Sequence, residues 1–364
     1  MVSNFVYTQP VKIYFGEGKF AALPEILAES GCKKAVIVCG KHFRPEAEKL
    51  VEANIGICGI FSEVEQNPQL SGVEETLKIA REINADTIIG IGGGSSIDTA
   101  KFAAATALGD GCAEDYYYGK KPFPAERLTI IAVPTTAGTG SEVTQVSVMS
   151  NHKEKKTINN PVFMPKIAIV DSELMLTVPP RTTMNTGLDA MAHALEGYWS
   201  KNHQPISDLM AIEAVRRALL YLERAYKDGS DKEARSEMAM ASLLGGLAFA
   251  LPKTAASHAC SYPLSEDYHL PHGEACAFTL DSFVKINADD RLEYLAKAVG
   301  LKDTDELAGR IAAFKEMAGL RRKLSDLENL DLDKLCRDCA AHPLMNNNPV
   351  ALTEERLKEM FLSL

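Results

Sequence analysis

In the stretch GLDAMAHALEGYWS (187–200), built mostly of Ala, Met and Leu, Asp189 and His193 stand four residues apart. A helix at that spacing brings both side chains to one face. There they suit two ligands of one cation, and equally a plain Asp–His hydrogen bond. His258 and His272 follow in SHACSYPLSEDYHLPHGEACA, where Gly273 permits close backbone approach. Together the four make a one-carboxylate, three-imidazole set, which suits Fe(II) or Zn(II) and leaves room for a substrate. Taken singly, each histidine reads as an ordinary satisfied side chain.

A second constellation lies upstream. IIGIGGGSSIDTAK (88–101) reads as a strand, a glycine cluster and then a helix. Such a turn lets backbone N–H groups approach a phosphate, and the helix N-terminus adds a favourable field. Gly92, Gly93, Gly94 and Ser95 are the candidates to cradle a pyrophosphate. The third glycine of G-x-G-x-x-G is replaced by Ser95, and no G-K in the chain precedes Ser or Thr, so an ordinary P-loop is disfavoured. PTTAGTGSEVT (134–144), directly after a strand, adds hydroxyls suited to phosphate, ribose or nicotinamide amide.

The elements that must position these residues change character along the 364-residue chain. Up to residue 178, short apolar runs such as KAVIVCG (34–40), ADTIIGIGGG (85–94), RLTIIAVPTT (127–136) and KIAIVDSEL (166–174) alternate with helical patterns. That texture predicts a Rossmann-like parallel sheet covered on both faces. From 179 to 364 only helical periodicity remains. The expectation is an α/β domain (1–178) and an all-helical domain (179–364), hinged near TVPP (177–180).

Bulk properties exclude several functions. A net charge of −10 argues against a nucleic-acid or anionic-membrane binder. No basic, apolar, cleavable start and no eighteen-residue apolar run is present, so the expected location is the cytoplasm. The eight scattered cysteines read as reduced thiols. Cys336-x-x-Cys339 sits in a helical pattern with no second pair at zinc-site spacing.

Taken in order, NP (67–68), GIGGGSSIDTAK, PTTAGTGSEVT, GLDAMAHALEGY, SHACSYPL and PHGEACA resemble the iron-dependent (group III) alcohol dehydrogenases, over essentially the whole chain. The resemblance implies the two-domain fold shared with dehydroquinate synthase, NAD(P)H on the α/β domain, and a divalent metal, Fe(II) or alternatively Zn(II), on the helical one. Its ligands would be Asp189, His193, His258 and His272. It also places Gly93, Gly94, Ser95, Asp98, Thr135, Thr136, Thr139 and Lys156 near the cofactor, and implies a homodimer or larger homo-oligomer, to which VKIYFG (11–16) would contribute a strand.

Three places depart from the family pattern or refine it. Tyr262 occupies the position where many members carry a second histidine, which leaves the proton relay to its hydroxyl, a cofactor ribose hydroxyl or water. Gly40 stands where NAD-preferring members carry Asp, with Lys41 and Arg44 in reach of a 2′-phosphate. The third histidine segment is similar to the branch that reduces phosphonoacetaldehyde and sulfoacetaldehyde, whose anionic tails need a cation such as Lys253 or Arg181. The competing expectations are a general short-chain alcohol dehydrogenase and a zinc glycerol-dehydrogenase-like enzyme, with a dehydroquinate-synthase-like lyase as the rival reaction class.

Overall fold

The computed structural model describes residues 4–151 and 154–364, and it divides into two compact units. One comprises Thr8–Thr136 and Ser141–Met175. The other comprises Leu176–Leu364 with Ala137–Gly140 and the residues leading up to Tyr7.

The first unit is an α/β layer structure. Its strands are β1 (Lys12–Phe15), β2 (Ala35–Cys39), β3 (Ile57–Phe61), β4 (Thr87–Gly92), β5 (Thr129–Pro134), β6 (Val146–Ser150), β7 (Lys155–Asn159) and β8 (Ile167–Val170). Six of them form one parallel sheet in the order β1-β8-β5-β4-β2-β3, and β6 and β7 make an antiparallel ribbon. The helices are α1 (Leu23–Ser30), α2 (Arg44–Glu52), α3 (Leu70–Ile83), α4 (Gly94–Thr106) and α5 (Ala113–Tyr117).

Side-chain alternation explains the layering. Ile37, Ile89, Ile131 and Ile169 point to one face and pack with Leu23, Ile26 and Leu27 of α1. Val36, Val38, Ile88 and Ile130 point to the other and pack with Val73 and Leu77 of α3 and Phe102 of α4. Both faces are therefore apolar, which is why these strands read as unbroken hydrophobic runs. The order of strands reverses between β2 and β4, and a crevice outside the carboxyl ends of such a pair is where α/β sheets take ligands. Gly40 and Gly92 stand at those two ends. β1, from the VKIYFG segment, occupies one edge of the sheet.

The second unit is helical: α6 (Pro180–Trp199), α7 (Pro205–Lys227), α8 (Lys232–Phe249), α9 (Ala256–Glu266), α10 (His272–Ile286), α11 (Asp290–Ala298), α12 (Thr304–Met317), α13 (Leu332–Ala341) and α14 (Glu354–Leu362). α6 is buried along nearly its whole length, from Thr183 to Trp199. No helix among the described residues is long and apolar enough to cross a membrane.

One glycine shows how tightly α6 is surrounded. A Cβ at Gly273, in the first turn of α10, would fall 2.1 Å from the Asn185 carbonyl oxygen of α6. Only a residue without a side chain lets the two backbones come this close. Gly273→Ala is expected to cost about 1–3 kcal/mol or more, read by chemical denaturation against the parent chain. An unchanged midpoint would show that the helices can separate freely.

Candidate active site

Four side chains from three helices converge in the helical unit. Asp189 and His193 come from α6, His258 from α9 and His272 from the first position of α10. Asp189 Oδ1 lies 3.5 Å from His258 Nε2, 3.7 Å from His272 Nε2 and 3.8 Å from His193 Nδ1. That oxygen is buried without a hydrogen-bond partner. His193 Nε2 and His258 Nε2 face each other at 3.0 Å. Two imidazole nitrogens at that distance need a proton or another cation between them.

The other ring nitrogens are tied down. His193 Nδ1 is 3.2 Å from the Gly138 carbonyl, so it carries the proton and turns Nε2 to the centre. His258 Nδ1 bonds the Glu196 carboxylate, whose second oxygen also accepts from the Ser257 N–H at 2.6 Å. Such outer partners fix the tautomer of a ligating histidine. Phe249 of α8 stacks on His193 with centroids 4.2 Å apart, closing the apolar side.

The electrostatics favour a cation. Burial alone would raise the Asp189 carboxyl, yet His193, His272 and His258 override it and hold the group well below the usual carboxylate range. Burial pushes His193 down to about 4, against the pull of Asp189, so it is a neutral imidazole at pH 7. His258 is raised despite its burial, by Cys276, Glu196 and Asp189. A carboxylate with an orphaned oxygen and imidazoles turned inward form a donor set that fits a divalent cation of the Fe(II) or Zn(II) type.

The α/β unit holds the second group. β4 runs into α4 through Gly93, and no side chain caps that helix. Its first-turn N–H groups at Gly94 and Ser95 are therefore available to an anion. Gly92 has φ +150°, and a Cβ there would sit 2.5 Å from Ser96 Oγ, so the turn demands glycine. Thr135 N–H donates to Gly92 O at 2.9 Å, and Thr136 lies beside Gly93. Thr139 lies in the Ala137–Gly140 segment that groups with the helical unit.

Two of the residues expected beside the cofactor are engaged in scaffolding. Asp98 accepts from Ser141 Oγ at 2.6 Å and from the Val148 N–H at 2.9 Å. Lys156 Nζ donates to the Tyr117 carbonyl at 3.1 Å. Lys101, which the sequence reading passed over, is fully buried and donates to Ser141 Oγ and the Val146 carbonyl. Asp98 and Lys101 thus pin α4 to the loop that follows β5.

The charges around Gly40 are also organised. Lys41 pairs with Glu63 at 3.0 Å, and Arg44 pairs with Glu48 at 2.8 Å and Glu63 at 3.9 Å. Glu63, Glu65 and Glu75 line a cavity of about 310 Å³ with Pro68, Gln69 and Thr99. Glu63, two residues beyond the end of β3, thus brings a carboxylate to Lys41, the residue after Gly40.

Elsewhere, Tyr262 lies one turn beyond His258 on α9, with its ring stacked on His342 at 4.4 Å. Lys253 is exposed just after α8 in a left-handed conformation, and its N–H donates to the Phe249 carbonyl at 2.7 Å. Arg181 pairs with Glu274 at 3.1 Å, and Arg321 pairs with the same carboxylate at 2.8 Å. Glu196, Glu63 and His342 escaped the sequence reading. Glu196 alone left a signal, three residues after His193 in GLDAMAHALEGY.

Family models match both halves: iron-containing alcohol dehydrogenase over residues 10–172, and the C-terminal domain of the Fe-containing alcohol dehydrogenase family over 183–364. The chain belongs to the iron-containing alcohol dehydrogenase family. It is 30% identical over 377 residues to sulfoacetaldehyde reductase of Bilophila wadsworthia, covering 97% of each chain. Long-chain-alcohol dehydrogenase 1 of Geobacillus thermodenitrificans is 34% identical over 319 residues, 83% of this chain and 80% of that one. The crystal structure of sulfoacetaldehyde reductase from Bifidobacterium kashiwanohense in complex with NAD+ matches with a TM-score of 0.95 at 40% identity, over 100% of this chain and 99% of that chain. This protein is accordingly an oxidoreductase of the alcohol dehydrogenase type.

Glu196→Gln is expected to weaken divalent-metal affinity by about 10- to 100-fold, measured by competition with a chromophoric chelator. Wild-type affinity in that variant would show that Glu196 only supports the α9 backbone.

Proposed function

We propose that this enzyme reduces a two-carbon aldehyde with an anionic tail, of the sulfoacetaldehyde type, with NADH as the hydride donor. Asp189, His193, His258 and His272 hold the divalent metal in this reading, and the orphaned Asp189 oxygen beside the facing imidazoles is the observation that carries it. When bound, the cation supplies the Lewis acidity that polarises the aldehyde oxygen.

The chain's own residues do the rest. Gly92, Gly93, Gly94 and Ser95 hold the pyrophosphate, and Thr135 and Thr136 flank the same turn. Glu63 reads the adenosine ribose hydroxyls, and its charge, with Glu65 and Glu75, repels a 2′-phosphate. When bound, NADH would supply the hydride, and Tyr262, whose ring rests on His342, would pass a proton to the substrate oxygen.

The substrate's anionic tail finds a cationic place near His272. Glu274, two residues on, is buried between two guanidiniums, so Arg181, Glu274 and Arg321 together carry one net positive charge. Arg181 remains more than half exposed and is the group to meet a sulfonate. Lys253 is the second cation for that end of the substrate. The edge strand β1 supports assembly as a homodimer.

One anaerobic experiment tests the reading: Fe(II)-loaded enzyme assayed with NADH and NADPH against sulfoacetaldehyde, phosphonoacetaldehyde and propanal. Sulfoacetaldehyde should exceed propanal by about a hundredfold in kcat/KM, or ~2.7 kcal/mol of transition-state binding. NADH should exceed NADPH by about tenfold, or ~1.4 kcal/mol, with the gap narrowing in Glu63→Gln. Equal rates on propanal would make this a general short-chain alcohol dehydrogenase instead.

A further inference from the structure

Between Asp189 and the guanidinium of Arg181 stands one polar side chain that the proposed reaction leaves unused. Arg181, Asn185 and Asp189 follow one another at four-residue intervals along α6, so they lie along one side of the helix. The first turn of α10 runs against that side. Arg181 pairs with Glu274 at 3.1 Å, and Asp189 Oδ1 lies 3.7 Å from His272 Nε2. Between these contacts the Asn185 carbonyl approaches Gly273 so closely that no Cβ fits. Asn185 is therefore bracketed by the cation pair on one side and the carboxylate and imidazoles on the other.

Its amide is unspent. The residue is only 8% exposed, and its Oδ1 is buried with no hydrogen-bond partner. Nδ2 has no partner among the described residues either. Buried amides are almost always hydrogen-bonded, so one that is not points to a partner outside the chain. Length decides which part of a substrate that partner is. Side chains four apart on a helix are about 5–6 Å apart at Cβ, whereas Arg181 and Asp189 are separated by roughly 12 Å along the axis. With its carbonyl at the level of Asp189, a two-carbon aldehyde carries its sulfonate about one helical turn away, ~5 Å. That is the level of Asn185.

We propose that Asn185 is a specificity-determining residue for the anionic tail, its Nδ2 donating to a sulfonate oxygen while Arg181 reaches the same group from the preceding turn. The proposal rests on the reading of the substrate as an anionic two-carbon aldehyde. Propanal ends at this level in a methyl group and leaves the amide unpaired, and a site built to hydrogen-bond its substrate rejects an analogue without the acceptor.

Two variants test it. Asn185→Leu is close in size and removes the donor; Asn185→Asp keeps the shape and sets a carboxylate against the tail. With metal-loaded enzyme and NADH, the ratio of kcat/KM for sulfoacetaldehyde to that for propanal should fall about tenfold in Asn185→Leu, carried by KM, and further in Asn185→Asp. A second readout needs no turnover. The Kd of the alcohol product, 2-hydroxyethanesulfonate, for the protein loaded with Zn(II) and NAD+ should weaken by about tenfold in Asn185→Leu, measured by calorimetry. Metal content is determined in parallel. A parent enzyme that prefers sulfoacetaldehyde, with variants that keep the preference and the Kd, would overturn the proposal alone. Equal losses on both substrates, or loss of metal from both variants, would make Asn185 a structural residue and overturn it too. A parent enzyme without the preference would overturn the functional reading and this proposal with it.

Discussion

Two imidazole nitrogens facing each other at 3.0 Å beside a buried carboxylate oxygen with no hydrogen-bond partner cannot be left without positive charge. Much of the helical unit follows from that constraint. Asp189 and His193 share a face of α6, and nearly every residue of that helix from Thr183 onward is buried. α9 and α10 must then bring their histidines to it without side chains intervening, and the glycine after His272 makes the α10 approach possible. Glu196 and the Gly138 carbonyl complete the arrangement by fixing which nitrogen of each ring turns inward.

In the proposed reading, the α/β unit answers a different demand, the binding of a dianionic pyrophosphate by backbone. A sheet apolar on both faces is rigid enough to hold a glycine turn at the end of β4, and α4 begins without a capping side chain. Asp98 and Lys101, buried against each other's neighbourhood, fix the loop after β5 to this helix. Burial lowers the Lys101 ammonium to about 8, against the pull of Asp98 and Glu142, which is tolerable only because hydroxyls and a carbonyl surround it.

Much of this was legible in the sequence because it is local. Strands buried on both faces announce themselves as apolar runs, helices by their period, and the glycine turn and the Asp189–His193 spacing by short motifs. What was not legible depends on contacts between distant segments. His342 stacks on Tyr262 across eighty residues, and Glu63 stands beside Lys41 because β3 neighbours β2. Arg181 read as a free cation, but its partner Glu274 lies ninety-three residues away.

The central claim is that the buried carboxylate exists to hold a cation. Metal content by elemental analysis, on the purified chain and on Asp189→Ala, tests it most directly, with circular dichroism to confirm that both are folded. The account predicts one divalent ion per chain in the parent protein, and a folded Asp189→Ala variant that retains almost none. A variant that keeps its full complement of metal, or a parent chain that binds none under reducing conditions, would contradict it.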